Sequence, residues 1–176
     1  MSGINLDMLL SMRSSGVRNY AIPGLTSSLI KTVRLFECSR SHEEPIVPHS
    51  HRFDFQCLVL EGTVRNRIWR RSVNGEGDVY AATELLYSGE GPGCYTGRGE
   101  CSTSRYTRVD FIHGPGDWYS MKHHEVHSIF FERGTKVLFF EGPTVADRSL
   151  ILEPYVDDQV IPTFEVKPWM FKKEDV

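Results

Sequence analysis

Pro48-His49-Ser50-His51-Arg52-Phe53-Asp54-Phe55-Gln56-Cys57-Leu58-Val59-Leu60-Glu61-Gly62 sets two histidines, one residue apart, at the head of an apolar run rich in strand-forming side chains, and a glycine closes it. Alternate side chains of an extended strand share a face, so His49 and His51 can aim both imidazoles at one point. That is the ligand arrangement a metal ion needs. The plainer reading, two surface histidines entering a strand, asks nothing of the rest of the chain.

Downstream, Phe53 to Leu60 reads as a strand, Gly62 as a turn, and Thr63 to Arg71 as a second strand, with Val64, Asn66 and Ile68 alternating against Arg65, Arg67 and Trp69. The two runs predict an antiparallel hairpin. Asn74-Gly75 marks the next turn and Val79 to Tyr87 another strand, while Ser88 to Ser104, rich in glycine, reads as an irregular loop. Tyr106 to Ile112, Trp118 to Met121, a run beginning at His123 and ending at Phe131, Lys136 to Glu141 and Leu150 to Leu152 complete the strand-like segments. Upstream, Ser28 to Cys38 reads as one strand, and Ile4 to Arg13 as a short amphipathic helix. Many short strands with little helix predict an all-β barrel or jelly roll.

A chain of 176 residues with 40% hydrophobic content suits one domain with a sizeable core. The expected domain spans 1–176, with a barrel core of about 29–142 and a C-terminal extension over 143–176. Formal net charge is -3, which argues against nucleic acid or an anionic membrane as partner and leaves a small molecule. Cys38, Cys57, Cys94 and Cys101 are too irregularly spaced for a set of paired zinc thiolates. Cys57 reads as a buried thiol, and Cys94 and Cys101 as reduced by default, with pairing under oxidation the alternative. With no membrane-length apolar run and no secretory pattern, the expected compartment is the cytoplasm. The aromatics Phe164, Trp169 and Phe171 near the C-terminus are expected to pack on a barrel edge or on a partner subunit, which makes a homodimer an expectation.

The central stretch resembles the first motif of the cupin superfamily, in which a His-x-His pair is followed by three or four residues, a Glu, six residues and a Gly. Here Phe55 stands where the motif has Glu and Gly62 where it has Gly. The second cupin motif ends in His, three residues, then Asn, and His124 with Ser128 keeps that spacing with Ser for Asn. The resemblance covers roughly residues 29–142. It implies a double-stranded β-helix holding one divalent metal ion through His49, His51 and His124, with Gln56 and His127 as alternative or additional ligands. A set of three histidines without a carboxylate is similar to that of the thiol dioxygenases within the cupins, which implies Fe(II) and oxygenation of a small organic substrate, a thiol among the candidates. The residue order is also similar to that of small bacterial and phage cupins of undetermined activity.

Three neutral imidazoles leave three positions open on an iron-sized ion, enough for a substrate and dioxygen together; zinc, nickel and manganese suit the same ligands. The rival readings are isomerisation or epimerisation of a sugar derivative by a histidine base without metal, and a cup that binds a ligand without catalysis. His124-Glu125-Val126-His127 is one residue too short for the zinc-protease helix motif. Arg65 and Arg67, with Arg70 and Arg71, form a basic cluster on one strand; solvation of an outer face competes with binding of a substrate carboxylate or phosphate. Tyr106 and Arg108 alternate on one strand face and are the further candidates for lining the cup.

Overall fold

The computed structural model describes residues 18–19, 24–30, 33–41, 47–87 and 95–161. They form twelve strands: β1 (Arg18–Asn19), β2 (Leu25–Ile30), β3 (Val33–Cys38), β4 (Phe53–Glu61), β5 (Val64–Arg71), β6 (Asp78–Tyr87), β7 (Tyr95–His113), β8 (Trp118–Met121), β9 (Val126–Phe131), β10 (Lys136–Thr144), β11 (Arg148–Val156) and β12 (Gln159–Val160). All pair antiparallel in two six-stranded sheets, ordered β1-β2-β3-β10-β4-β8 and β12-β11-β6-β7-β5-β9. This is the all-β jelly roll expected from the strand pattern. No helix among the described residues is long and apolar enough to cross a membrane. The expected helix over 4–13, the aromatics beyond 161 and Cys94 lie outside the described residues.

The sheets meet through side chains that alternate along their strands. Phe55, Cys57 and Val59 of β4, Val137 and Phe139 of β10, and Tyr119 and Met121 of β8 pack against Val64 and Ile68 of β5 and Ile129 and Phe131 of β9. Val59 and Val64 are fully buried, so the end of the barrel near Gly62 is filled with hydrocarbon. A second cluster of Trp69, Ala82, Tyr106, Val126 and Leu152 lies on the other face of the second sheet.

Several expected elements differ. Ser28 to Cys38 is the hairpin β2–β3, with Ile30 opposite Val33, where one strand was expected. β4 and β5 are not a hairpin: β4 pairs with β10 and β8, and β5 with β7 and β9. Gly62, at φ +73°, carries the chain from one sheet to the other. Each strand still has one core face, so the alternation in sequence is the same as a hairpin's. Most of the expected loop over 88–104 is strand, since β7 runs for 19 residues from Tyr95; its glycines interrupt the pattern of apolar side chains, and beside them the ladder with β6 shifts register, between Thr83 and Leu85 and between Leu86 and Tyr87. The sheets also extend beyond 142, because β11 pairs with β6 from Arg148 to Pro154.

Residues 48–51 precede β4 and belong to the second sheet. His49 exchanges backbone bonds with His127 (2.8 and 2.9 Å), Ser50 N donates to the Leu150 carbonyl (2.8 Å), and Leu152 N donates to the Pro48 carbonyl (2.8 Å). The segment thus laces β9 to β11, strands that lie toward opposite ends of their sheet. It then bends into the first sheet as β4.

Candidate metal centre

The isolated bridge between His49 and His127 puts both residues on one face of the sheet. His51 follows on the same side, two residues on. The three imidazoles gather accordingly, with a ligand nitrogen from each lying within 4.8 Å of the others. Ring centroids are 4.8 Å apart for His49 and His51, and 5.1 Å for each of them to His127. His127 is buried, and His49 and His51 are half-buried.

Hydrogen bonds fix two of the rings. His49 Nδ1 donates to the Val47 carbonyl at 2.9 Å, since a carbonyl can only accept. His127 Nδ1 donates to Asn66 Oδ1 at 2.8 Å. Both arrangements leave Nε2 with its lone pair toward the group, and such bonds orient a metal-binding imidazole and raise its basicity. His51 Nε2 lies 2.9 Å from His127 Nε2. With the His127 proton on Nδ1, His51 Nε2 is the donor of this bond, and two nitrogens bound to adjacent positions of one ion, each about 2.1 Å from it, would stand about 3.0–3.4 Å apart, so a small separation of the rings and transfer of the His51 proton to Nδ1 would accompany metal binding.

Electrostatics keep the rings neutral. Burial holds His127 well below the ordinary imidazole range, with His49 adding repulsion. Burial does the same to His51, reinforced by His49 and His127. His49 is lowered by burial too, against a smaller upward pull from the Val47 carbonyl. Neutral imidazole is the form that ligates a metal, so near neutral pH no ring has to lose a net proton to bind one. The donor set, its spacing and its protonation fit a divalent ion.

The wall beside the group is aromatic. Phe55 meets His51 edge to face at 4.7 Å and lies tilted by 34° against Phe139 at 4.7 Å, while Phe53 lies 5.5 Å from His51. Phe55 is buried at the position where the cupin motif has its Glu, so this ligand set has no carboxylate from β4. Glu141, opposite Phe55 in the ladder, and Arg34, opposite Phe139, turn to the same face. Burial raises the Glu141 carboxyl, and Arg34 and Arg52 draw it back down.

The third ring of the group is His127 and not His124. His124 is exposed in a turn over 122–125, closed by the bond from Glu125 N to the Lys122 carbonyl at 3.0 Å. β9 begins only at Val126, and His127, Ile129 and Phe131 face the first sheet. Ser128 points the other way, accepting from Trp69 Nε1 at 3.0 Å. The alternation His127, Ile129, Phe131 is visible in the sequence, but Val126, Ser128 and Phe130 are buried as well. With both faces buried, pattern alone does not choose between them.

Gln56 is excluded from the group by alternation: it is exposed, on the face of β4 opposite Phe55. Arg65, Arg67, Tyr106 and Arg108 lie on the face of the second sheet away from His127. Arg67 holds Asp110 through two bonds of 2.6 and 2.9 Å. Arg65 sits 4.1 Å over the Phe130 ring, and Arg108 5.6 Å from Trp69. Tyr106 fills the second apolar cluster. Among the described thiols, Cys38, Cys57 and Cys101 are free, and burial pushes that of Cys57 up to about 12, the inert state expected of it.

Asn66, Glu141 and Arg34 are the residues that sequence reasoning missed at this site. Asn66 carried a signal, an amide in line with Val64 and Ile68 on a core face, where a buried polar group needs a partner.

No protein-family model and no curated protein sequence matches the chain. Solved structures similar to it include the CENP-C cupin domain of Drosophila melanogaster, at 10% identity over 72% of this chain and 75% of that one, with a TM-score of 0.40. KdgF from Halomonas sp. aligns at 14% identity over 74% and 91%, TM-score 0.39. Hydroxypropylphosphonic acid epoxidase from S. wedmorenis aligns at 8% identity over 80% and 56%, TM-score 0.42.

Proposed function

We propose that the protein is a metal-dependent cupin that binds one divalent ion through His49, His51 and His127, and that it oxygenates a small organic substrate with Fe(II) as the resident metal. The observation that carries this reading is the convergence of the three imidazoles with two of them already oriented by Val47 and Asn66. Iron held by three neutral nitrogens would supply open positions for substrate and dioxygen and the electrons for oxygen activation.

The chain's own residues do the rest. Val47 and Asn66 hold the imidazoles of His49 and His127 in one tautomer. Phe53, Phe55 and Phe139 exclude water beside them and offer an apolar surface to the body of a substrate. Glu141, with Arg34 and Arg52 near it, provides the charged part of the same wall, suited to the polar end of a small organic acid or amino thiol.

The test begins with purified protein expressed separately with iron, zinc, nickel and manganese. The expected metal content is about one ion per chain, and the iron form is expected to consume oxygen with at least one member of a panel of thiols and small organic acids. A chain that takes up less than about a tenth of an equivalent of every metal would support the histidine-base isomerase instead. A loaded iron form that binds compounds of the panel without oxygen uptake would leave a binding cup.

A further inference from the structure

The Asn66 amide stands between two partners in the interior. It comes from β5, is 3% exposed, and takes the His127 Nδ1 proton on Oδ1 at 2.8 Å. On its other side Nδ2 donates to the Met121 sulfur at 3.5 Å. Met121 belongs to β8 in the opposite sheet, faces Phe55 across the ladder with β4, and is packed in the core between the sheets. Phe55 in turn lies 5.6 Å from the His127 ring. In sequence such a methionine reads as core filler. Its contact with a buried amide gives it a further part.

A primary amide has nearly the same shape when turned over, so packing alone does not decide which end meets His127. Hydrogen bonding does. The line runs from His51 Nε2 to His127 Nε2, from His127 Nδ1 to Asn66 Oδ1, and from Asn66 Nδ2 to the Met121 sulfur. With the amide turned, the line reverses: Nδ2 donates to His127 Nδ1, and His127 Nε2 carries its proton toward His51. The two rings are bonded either way. The difference lies at the sulfur, because a thioether accepts and never donates. A turned amide would set Oδ1 against it, one buried acceptor facing another.

We propose that Met121 is a positioning residue of the three-histidine group: its sulfur selects the Asn66 orientation that places the His127 proton on Nδ1 and leaves the Nε2 lone pair toward the group. Met121 acts through Asn66. Its effect on a bound ion rests on the metal-binding reading given above, whereas the position of the proton is a property of the metal-free chain.

Met121→Leu keeps the apolar volume and removes the acceptor, while Met121→Gln keeps the length and returns one. Nitrogen NMR of the histidine rings in metal-free protein at about pH 7.5, where the imidazoles are neutral, reads the proton directly. Wild type and Met121→Gln are expected to carry it on His127 Nδ1, and Met121→Leu to show both tautomers. Calorimetric titration with zinc ion alone is expected to give an affinity about 3–10-fold weaker for Met121→Leu than for wild type, because only the competent fraction binds, with recovery in Met121→Gln. A wild-type His127 protonated on Nε2 would overturn the proposal without recourse to any variant. So would a Met121→Leu chain whose His127 is as uniformly protonated on Nδ1 as the wild type, or one that binds zinc as tightly. The expected tautomers in a wild type that takes up no zinc would overturn the metal-binding reading and support the selection by Met121.

Discussion

His127 holds its proton on Nδ1 because Asn66 Oδ1 lies 2.8 Å away in a buried position. Without that acceptor the ring is free to take the other tautomer and turn its lone pair from the group. Asn66→Leu keeps the volume and removes the acceptor; metal affinity is expected to fall about 10–100-fold by calorimetric titration while the strand pairing persists. The same burial sets a pH dependence. His51 and His127 are held well below the imidazole range in the fold but titrate near about 6.5 when unfolded. Below that pH the unfolded chain takes up protons that the folded metal-free chain refuses, so stability is fully present above it and declines as pH falls. The thermal midpoint of metal-free protein is expected to drop between about pH 7 and pH 5, more steeply than that of His127→Gln. At this scale the sequence was legible at His49 and His51, whose spacing in an extended segment puts both rings on one side. It was not legible in β9, where burial of every residue erases the alternation that would have favoured His127 over His124.

Asp54 shows why an element's boundary matters to a site. Its carboxylate accepts from the His123 backbone at 2.8 Å and binds Lys122 at 2.8 Å, tying β4 to the turn that feeds β9. His51 N donates to the His123 carbonyl of the same turn at 3.0 Å. The bonds from Lys122, then those from His123, pull the Asp54 carboxyl below its ordinary range. A depressed carboxylate contributes stability above its unfolded pKa of about 3.9, and loses it as pH falls through the folded value. The difference in thermal midpoint between wild type and Asp54→Asn is therefore expected to be constant near neutral pH and to narrow below about pH 4. Gly62 is the other hinge of this region. A Cβ there would stand 2.7 Å from Thr135 Cα, at a φ of +73°. Gly62→Ala is expected to destabilise by about 1–3 kcal/mol in denaturant titration. The glycine was readable as a turn, but the partner of each flanking strand was not, because a step between sheets and a hairpin place the same residues on core faces.

At the scale of the molecule, the three-histidine group forms where the chain closes the second sheet on itself. Pro48 to His51 bonds β9 and β11 together before passing into the first sheet, so imidazoles 76 residues apart in sequence become neighbours. The two-sheet architecture followed from many short strands with turn signals between them. The pairing that brings His127 to His49 followed from none of those local signals, since sheet order is set by contacts distant in sequence. The account rests on that pairing holding one ion. The most direct measurement is the metal content of wild type, His127→Ala and His124→Ala purified side by side from the same supplemented medium. The account predicts about one ion per chain in wild type and in His124→Ala, and loss of most of it in His127→Ala with the fold intact. An undiminished metal content in His127→Ala, or its loss in His124→Ala alone, would contradict it.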